Sequence, residues 1–504
     1  MDSRLYGLFS ENLSVILIIL TTLGIWFSFF RKPRGIPPGP NWTLPLLGDL
    51  LSIANPDDGG DSRLPFRRLR KKYGDIFSVY LGPRLVVVFN GYKTIKDACI
   101  NNADVTSHRP DIVTFKVIAR QKGLFASSGD DSKEQRKAVT EVFRLIGKAN
   151  LEEKIQGEIE CFTEHIRKFD GKNINIITLV QASIANVIGS VVFGKRFEYD
   201  DELFKNFLYK MEENMTTLGG TNIITYFEFL RHLPGDLFGI KKVLNNVKYV
   251  QDKIIIPSID DHIKHFDDNN THDFISAYIK QMNKVDKTRQ QRTAVDRENL
   301  LVNVVDLFVA GTDTTAATIS WTILLFLHHP RVYDKCCKEV QEVVGIGRRP
   351  TMKDRPTMPY VEATIMEVLR YFNIGLLGGP HAASEDTYIG GYYIPKGTML
   401  LFNLDSVLCV DEEPWGDVKA FRPERFLNST GDGVKLYEEF IPFSLGRRVC
   451  IGESLARMEL FLLITTLIQH FDLQPATPND IPPLKGMTGL THSPKHFEIR
   501  AIPR

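Results

Sequence analysis

Phe443-Ser444-Leu445-Gly446-Arg447-Arg448-Val449-Cys450-Ile451-Gly452 runs directly into Glu453-Ser454-Leu455-Ala456-Arg457-Met458-Glu459-Leu460. The second half has helical spacing, so Cys450 stands just ahead of a helix start. The positive end of the helix dipole favours thiolate over thiol at such a position. Gly446 and Gly452 carry no side chains, which lets the loop bend and come close to a flat partner. Arg448, two residues from the sulfur, supplies a cation. A lone cysteine is ordinarily a buried, inert thiol. The surrounding pattern argues instead for a ligand.

A thiolate on a glycine-flanked loop beside an arginine suits a heme iron whose propionates need a counter-charge. The run resembles the heme-ligand signature of the cytochrome P-450 family, matching all five defining positions at Phe443, Gly446, Arg448, Cys450 and Gly452. The resemblance reaches from the proline-rich stretch near residue 33 to the C-terminus. Phe440–Gly446 and Gly452–Phe461 are especially similar to the animal microsomal class that contains xenobiotic and steroid hydroxylases. It implies a P-450 fold, mainly α (α+β), with a large helical lobe, a small β-rich lobe and a single N-terminal transmembrane helix. It also implies heme b (iron protoporphyrin IX) as cofactor and Cys450 as the metal ligand.

The bulk properties agree. A chain of 504 residues has room for three or four average domains, but no composition break divides it. Hydrophobic residues at 43% support a sizeable core. The net charge of +1 argues against nucleic acid as the main partner, which would need a strongly basic face. Cys99, Cys161, Cys336, Cys337, Cys409 and Cys450 show no metal-type spacing and read as reduced thiols of a cytosol-facing protein.

Leu13 to Phe30 is an uncharged stretch of 18 residues, long enough to span a bilayer. Arg31, Lys32 and Arg34 follow, which places everything after residue 31 in the cytosol. A cleaved signal would carry its charges first and small residues last, and neither feature is present. Pro33, Pro37, Pro38, Pro40 and Pro45 stiffen the next stretch. The expected division is an N-terminal membrane anchor at 1–30, a proline-rich hinge at 31–48 and a heme-thiolate monooxygenase catalytic domain at 49–504. With this topology the sequons at Asn41, Asn214, Asn269 and Asn428 never meet the glycosylation machinery, and Asn12 lies too near the membrane. The basic run Arg67-Arg68-Leu69-Arg70-Lys71-Lys72 reads as a solvated helix face or as a contact with anionic lipid.

Periodicity predicts helices over 133–147, 151–167, 178–193, 200–215, 237–266, 273–283, 295–327, 331–344, 360–372 and 453–470. Strand-like segments are few: 85–89, 388–394 and 398–402. Residues 284–292 read as a charged surface loop.

Ala310-Gly311-Thr312-Asp313-Thr314-Thr315 lies inside the 295–327 helix. A glycine there costs about 1 kcal/mol relative to alanine, and adjacent hydroxyls compete for the helix backbone. The expectation is a bent segment with a groove for O2 and water, where Asp313 and Thr314 form a carboxylate–alcohol pair that passes protons. Ala310, one turn before Thr314, leaves room in the substrate pocket above the iron. The resemblance matches this segment to the family's oxygen-activating helix.

Glu367 and Arg370 share a helix face at spacing i, i+3. They resemble the family's Glu-x-x-Arg pair, which joins the arginine of Pro423-Glu424-Arg425-Phe426 in a structural triad. Arg448, Arg136, Arg109 and His381 match family positions for holding the heme propionates. One departure is Ser132, where microsomal relatives usually carry a tryptophan. By resemblance, apolar pocket walls come from 106–124, 203–240, 308–314, 374–379 and 487–489. Lys133, Lys137, Lys148 and Arg447 form either a proximal docking patch or a solvated surface.

No flavin or nicotinamide fingerprint appears, so electrons must come from a separate protein. The resemblance implies an endoplasmic reticulum monooxygenase. It would insert one oxygen atom of O2 into a C–H bond of a small hydrophobic substrate. Electrons would come from NADPH through NADPH–cytochrome P-450 reductase, with cytochrome b5 as a second donor. The alternatives are an O2-independent hydroperoxide isomerase or dehydratase of the same fold, a non-catalytic heme sensor, and a membrane-tethered scaffold without heme.

Overall fold

The computed structural model describes residues 15–21, 24, 32–41, 43–44, 46–53, 61, 63–218, 223–288, 293–488 and 491–504. Of the expected 13–30 anchor, only 15–21 and Gly24 fall within this range; they are helical and exposed, and the rest of the anchor lies outside the described residues.

One helix, Arg297–His328, organises the molecule. Asp296 caps it by accepting the Asn299 N–H at 2.7 Å. Its second half, Thr315–Leu327, is buried on every side, which accounts for the run of apolar residues without a polar face. Helices Ile176–Phe193, Pro359–Tyr371 and Glu453–His470 pack around it. Phe308, Trp321, Leu325, Ile188 and Phe461 lie in the main core cluster, each contributing about 1.5–3 kcal/mol on burial. Ile176–Phe193 and Arg297–His328 are long and apolar enough to cross a membrane, but both are core helices of this body.

The smaller β-rich part holds a four-stranded sheet. Ile76–Leu81 and Arg84–Asn90 form an antiparallel hairpin, Met399–Asn403 runs parallel to Arg84–Asn90, and His381–Ala382 closes the order. A second sheet joins Asn173–Asn175, Glu498–Pro503 and Phe471–Pro475. The mainly α fold with small sheets is therefore as expected.

Three local expectations need correction. Residues 388–394 are two strands, Thr387–Ile389 and Tyr392–Ile394, because Gly390 and Gly391 turn at φ 58° and 82°. The 237–266 stretch divides into Ile240–Val250, a π turn at Gln251–Ile255 and Ile256–Lys264. The wide turn sits just before Pro257, whose missing N–H removes a bond that a regular helix would make. The charged 284–292 stretch begins as helix, since Phe274–Thr288 continues through Lys284. The Arg297–His328 helix keeps its α assignment through 310–315, and Gly311 has a packing reason there: a Cβ would lie 2.6 Å from Ile188 Cδ1.

Candidate active site

The cysteine loop is built by backbone constraint. Ser444 and Gly446 take φ of 67° and 73°, and the Cys450 N–H donates to the Phe443 carbonyl at 3.0 Å. A side chain on Gly446 would overlap the Cys99 carbonyl. Gly452 stands immediately before the Glu453–His470 helix. The Arg457 guanidinium lies 5.0 Å from the Phe443 ring. Cys450 is exposed on one side and crowded by protein on the rest. Burial pushes its thiol up; the N–H groups of Gly452 and Glu453 and the Arg136 cation oppose that push, and the Glu453 carboxylate adds to it. The helix start alone therefore does not secure a thiolate, as the sequence had suggested, whereas a bound metal cation does.

Three guanidinium groups gather beside this loop. Arg448 donates to the carbonyls of Ser107 at 2.8 Å, Leu124 at 3.3 Å and Ser127 at 2.5 Å. Arg136 donates to the Val449 carbonyl at 2.6 Å. Arg109 donates to the carbonyls of Phe125 at 2.8 Å and Pro380 at 2.7 Å. None of the three forms an ion pair with a described carboxylate. Burial first, then the neighbouring cations, pulls Arg109 well down and Arg448 to about 10. Arg136 is also lowered by burial, against the pull of Cys450. His381 is lowered well below its ordinary value by burial, Arg109 and Arg448. Its Nδ1 lies 2.8 Å from the Thr106 carbonyl, which only accepts; Nδ1 thus carries the proton, and an anion nearby would favour a second on Nε2. Ser132 is buried one turn before Arg136.

A cationic cluster with no ion pair to a described carboxylate, in which Asp306 acts on Arg109 alone, stands next to a thiol with two N–H donors and has the chemistry that an iron porphyrin with two propionates requires. The residues present therefore fit heme.

On the long helix, Ala310 is exposed and the Thr314 hydroxyl donates to the Ala310 carbonyl at 2.6 Å. The Asp313 carboxylate accepts from the Thr491 hydroxyl, and burial raises its pKa against that bond. Asp313 and Thr314 are thus each held by another partner. Sequence reasoning missed Thr491, which is 178 positions away in the chain with no motif around it.

The ion triad forms. Glu367 and Arg370 are both fully buried and joined by two bonds of 2.8 Å. Arg425 reaches the same carboxylate at 3.0 Å, and the Arg422 N–H adds a bond of 2.9 Å. Arg370 also donates to the carbonyls of Leu408 and Val418, and Arg425 to those of Trp415 and Asp417. One carboxylate therefore gathers the whole meander ahead of the cysteine loop.

Both basic surface runs are partly ion-paired. In the basic run, Arg67 pairs with Asp405 at 2.7 Å, and Arg70 pairs with Asp75 and Asp411. On the proximal side, Lys133 pairs with Asp130 and Arg447 with Asp104.

A profile of the cytochrome P-450 family matches residues 37–501. The chain is 36% identical over 500 residues to cytochrome P-450 2C3 of Oryctolagus cuniculus, covering 98% of this chain and 100% of that one. It is 35% identical over 502 residues to cytochrome P-450 2B19 of Mus musculus, covering 97% and 99%. To cytochrome P-450 2E1 of Oryctolagus cuniculus it is 34% identical over 494 residues, covering 97% of each. Similarity of this extent, over a helical body with a cysteine loop and cation cluster that fit heme, establishes that the chain belongs to the cytochrome P-450 family and is a monooxygenase with heme b as its cofactor.

Proposed function

We propose that this chain inserts one atom of O2 into a C–H bond of a small hydrophobic substrate, using electrons from NADPH delivered by a separate reductase. Cytochrome b5 is a second candidate donor. The reading places the protein at the endoplasmic reticulum membrane, with residues 1–30 as a single-pass anchor, 31–48 as a hinge and 49–504 as a catalytic domain facing the cytosol. The observation that carries it is the gathering of three buried arginines beside Cys450, none of them in an ion pair with a described carboxylate.

In this reading Cys450 ligates the iron, and Phe443, Gly446 and Gly452 shape the loop around it. Arg109, Arg136, Arg448 and His381 hold the propionates. Bound heme supplies the electron transfer and oxygen activation that side chains cannot. Thr314, freed from the Ala310 carbonyl, would offer its hydroxyl proton to the substrate space, and Asp313, whose pKa burial raises, would replace that proton with one taken up from solvent. Ala310 keeps space for substrate. The Glu367–Arg370–Arg425 triad retains the fold around the heme.

Reconstitution with an NADPH-dependent reductase and a panel of steroids, fatty acids, terpenoids and aromatic compounds tests the proposal. NADPH-dependent incorporation of one atom from labelled O2 is expected. Turnover of a lipid hydroperoxide without reductase, together with no NADPH-dependent oxygen incorporation when reductase is added, would assign the chain to the O2-independent alternative.

A further inference from the structure

The C-terminal hairpin lays a hydroxyl on the acid of the long helix. Gly486–Thr488 and His492–Pro494 pair antiparallel, and three contacts fix the second strand. The His492 N–H donates to the Ile374 carbonyl at 3.2 Å. The His492 carbonyl accepts from Trp321 Nε1 at 2.9 Å. The buried His492 ring joins a stack in which the Trp321 ring lies 5.4 Å away and the Phe372 ring 6.2 Å, and a side chain on Gly486 would overlap it. Trp321 stands about two turns beyond Asp313 on the same helix. The strand is thus anchored to the helix, and the residue just before His492 is Thr491.

Thr491 Oγ1 donates to Asp313 Oδ2. Asp313 and Thr314 are adjacent, so they point to different sides of the helix, and the Thr314 hydroxyl returns to the Ala310 carbonyl at 2.6 Å. The carboxylate therefore rests on the hairpin side. Ser493 Oγ, 3.4 Å from Thr491 Oγ1, offers that hydroxyl a second partner when the carboxylate turns away.

We propose that Thr491 is a positioning residue for proton delivery, a tether that holds the Asp313 carboxylate on the hairpin side and must release it before the acid serves Thr314. The tether stands on the bond itself; its effect on delivery rests on the proposed function.

A hydroxyl donated to a carboxylate favours the ionised form. Burial raises the Asp313 pKa, Thr491 opposes that push, and Glu212 adds to it. Without the hydroxyl the acid keeps its proton to higher pH. A hydrogen bond to a charged group is strong enough to move the midpoint by about one to two pH units. The titratable groups on the neighbouring elements are Glu212, His496 and His492. Glu212, on the Glu202–Thr217 helix, faces His496 at 4.0 Å. Burial, with Arg63, lowers His492 to about 4, so it stays neutral above that.

Infrared difference titration of the heme-loaded protein, from about pH 4 to about 9, follows the protonated carboxyl band that Asp313→Asn removes. Thr491→Val keeps the shape and lacks the hydroxyl. It should move the midpoint up by about one to two units, and Thr491→Ser should move it back. The shift should persist in a Glu212→Gln background, where that carboxylate has no charge to contribute. An unmoved midpoint, or the same rise in Thr491→Ser, overturns the tether. Product formed per NADPH, measured over the same range with reductase and a substrate that is turned over, should keep its native low-pH plateau in Thr491→Val. Its decline should begin about one to two units higher. A uniform loss at every pH is the mark of a merely structural residue and overturns the proposal. An infrared midpoint that moves while the coupling curve does not overturns delivery through Asp313, and with it the role given to the tether. The reduced CO spectrum of each variant reports heme loading independently, so failure of the family reading is not confused with failure of the tether.

Discussion

Glu367 carries two guanidinium groups on one carboxylate, all three side chains buried. Removing it leaves Arg370 and Arg425 buried without an anion, at a cost of roughly 3–5 kcal/mol. Glu367→Ala should therefore yield little heme-loaded protein, measured as the ratio of Soret to protein absorbance; normal loading would contradict the triad's role. Cys450→Ala should abolish the shifted Soret band of the reduced CO complex, since no other described sulfur lies on that loop. Thr314→Ala should keep heme but divert reducing equivalents to peroxide, read as peroxide formed per NADPH consumed. Equal coupling in variant and native protein would remove Thr314 from proton delivery. These residues were legible in the sequence because each stands in a short motif whose spacing mirrors its geometry. Thr491 was not, because its partner is distant in the chain and nothing local marks it.

At the level of elements, helices were readable wherever one face or the whole circumference is apolar. The Glu453–His470 helix was bounded correctly because Gly452 precedes it and the strand Phe471–Pro475 follows at once. Short buried strands were harder: Ile76–Leu81 is buried on both faces and shows no alternation. Gly311, read from local propensity as a weak point of the long helix, also answers a neighbour in the Ile176–Phe193 helix. That explanation is testable. Gly311→Ala should lower the thermal midpoint because the new methyl meets Ile188 Cδ1 at 2.6 Å. Adding Ile188→Val, which removes that δ methyl, should restore part of the loss. If the double variant is no better than the single, the packing account fails and a distortion of the oxygen helix is the better explanation.

Over the whole molecule, the sequence's near-balance of charge hides carboxyl groups that burial makes resist ionisation. Glu158 accepts from Tyr199 and Arg196, yet burial pushes it up to about 7. Glu459, in the contact between the Glu453–His470 helix and the long helix, bonds Thr315 and is pushed from 4.5 up to about 8. Both bind a proton more tightly folded than unfolded, so each favours the fold at low pH and loses that contribution as pH rises toward its folded value. Each proton so held changes stability by about 1.4 kcal/mol per pH unit across that window. His492 acts in the other direction: burial lowers it to about 4, so its contribution is lost as pH falls from 6.5 toward 4. Above pH 6.5 the carboxyls are left to dominate. The urea concentration at half-unfolding should therefore fall between pH 6.5 and 8, and Glu459→Gln should flatten the decline. A midpoint that rises over this range in the native protein, or a Glu459→Gln variant with an unchanged slope, would mean that Glu459 is ionised within the fold and that a cation not seen near it compensates the charge.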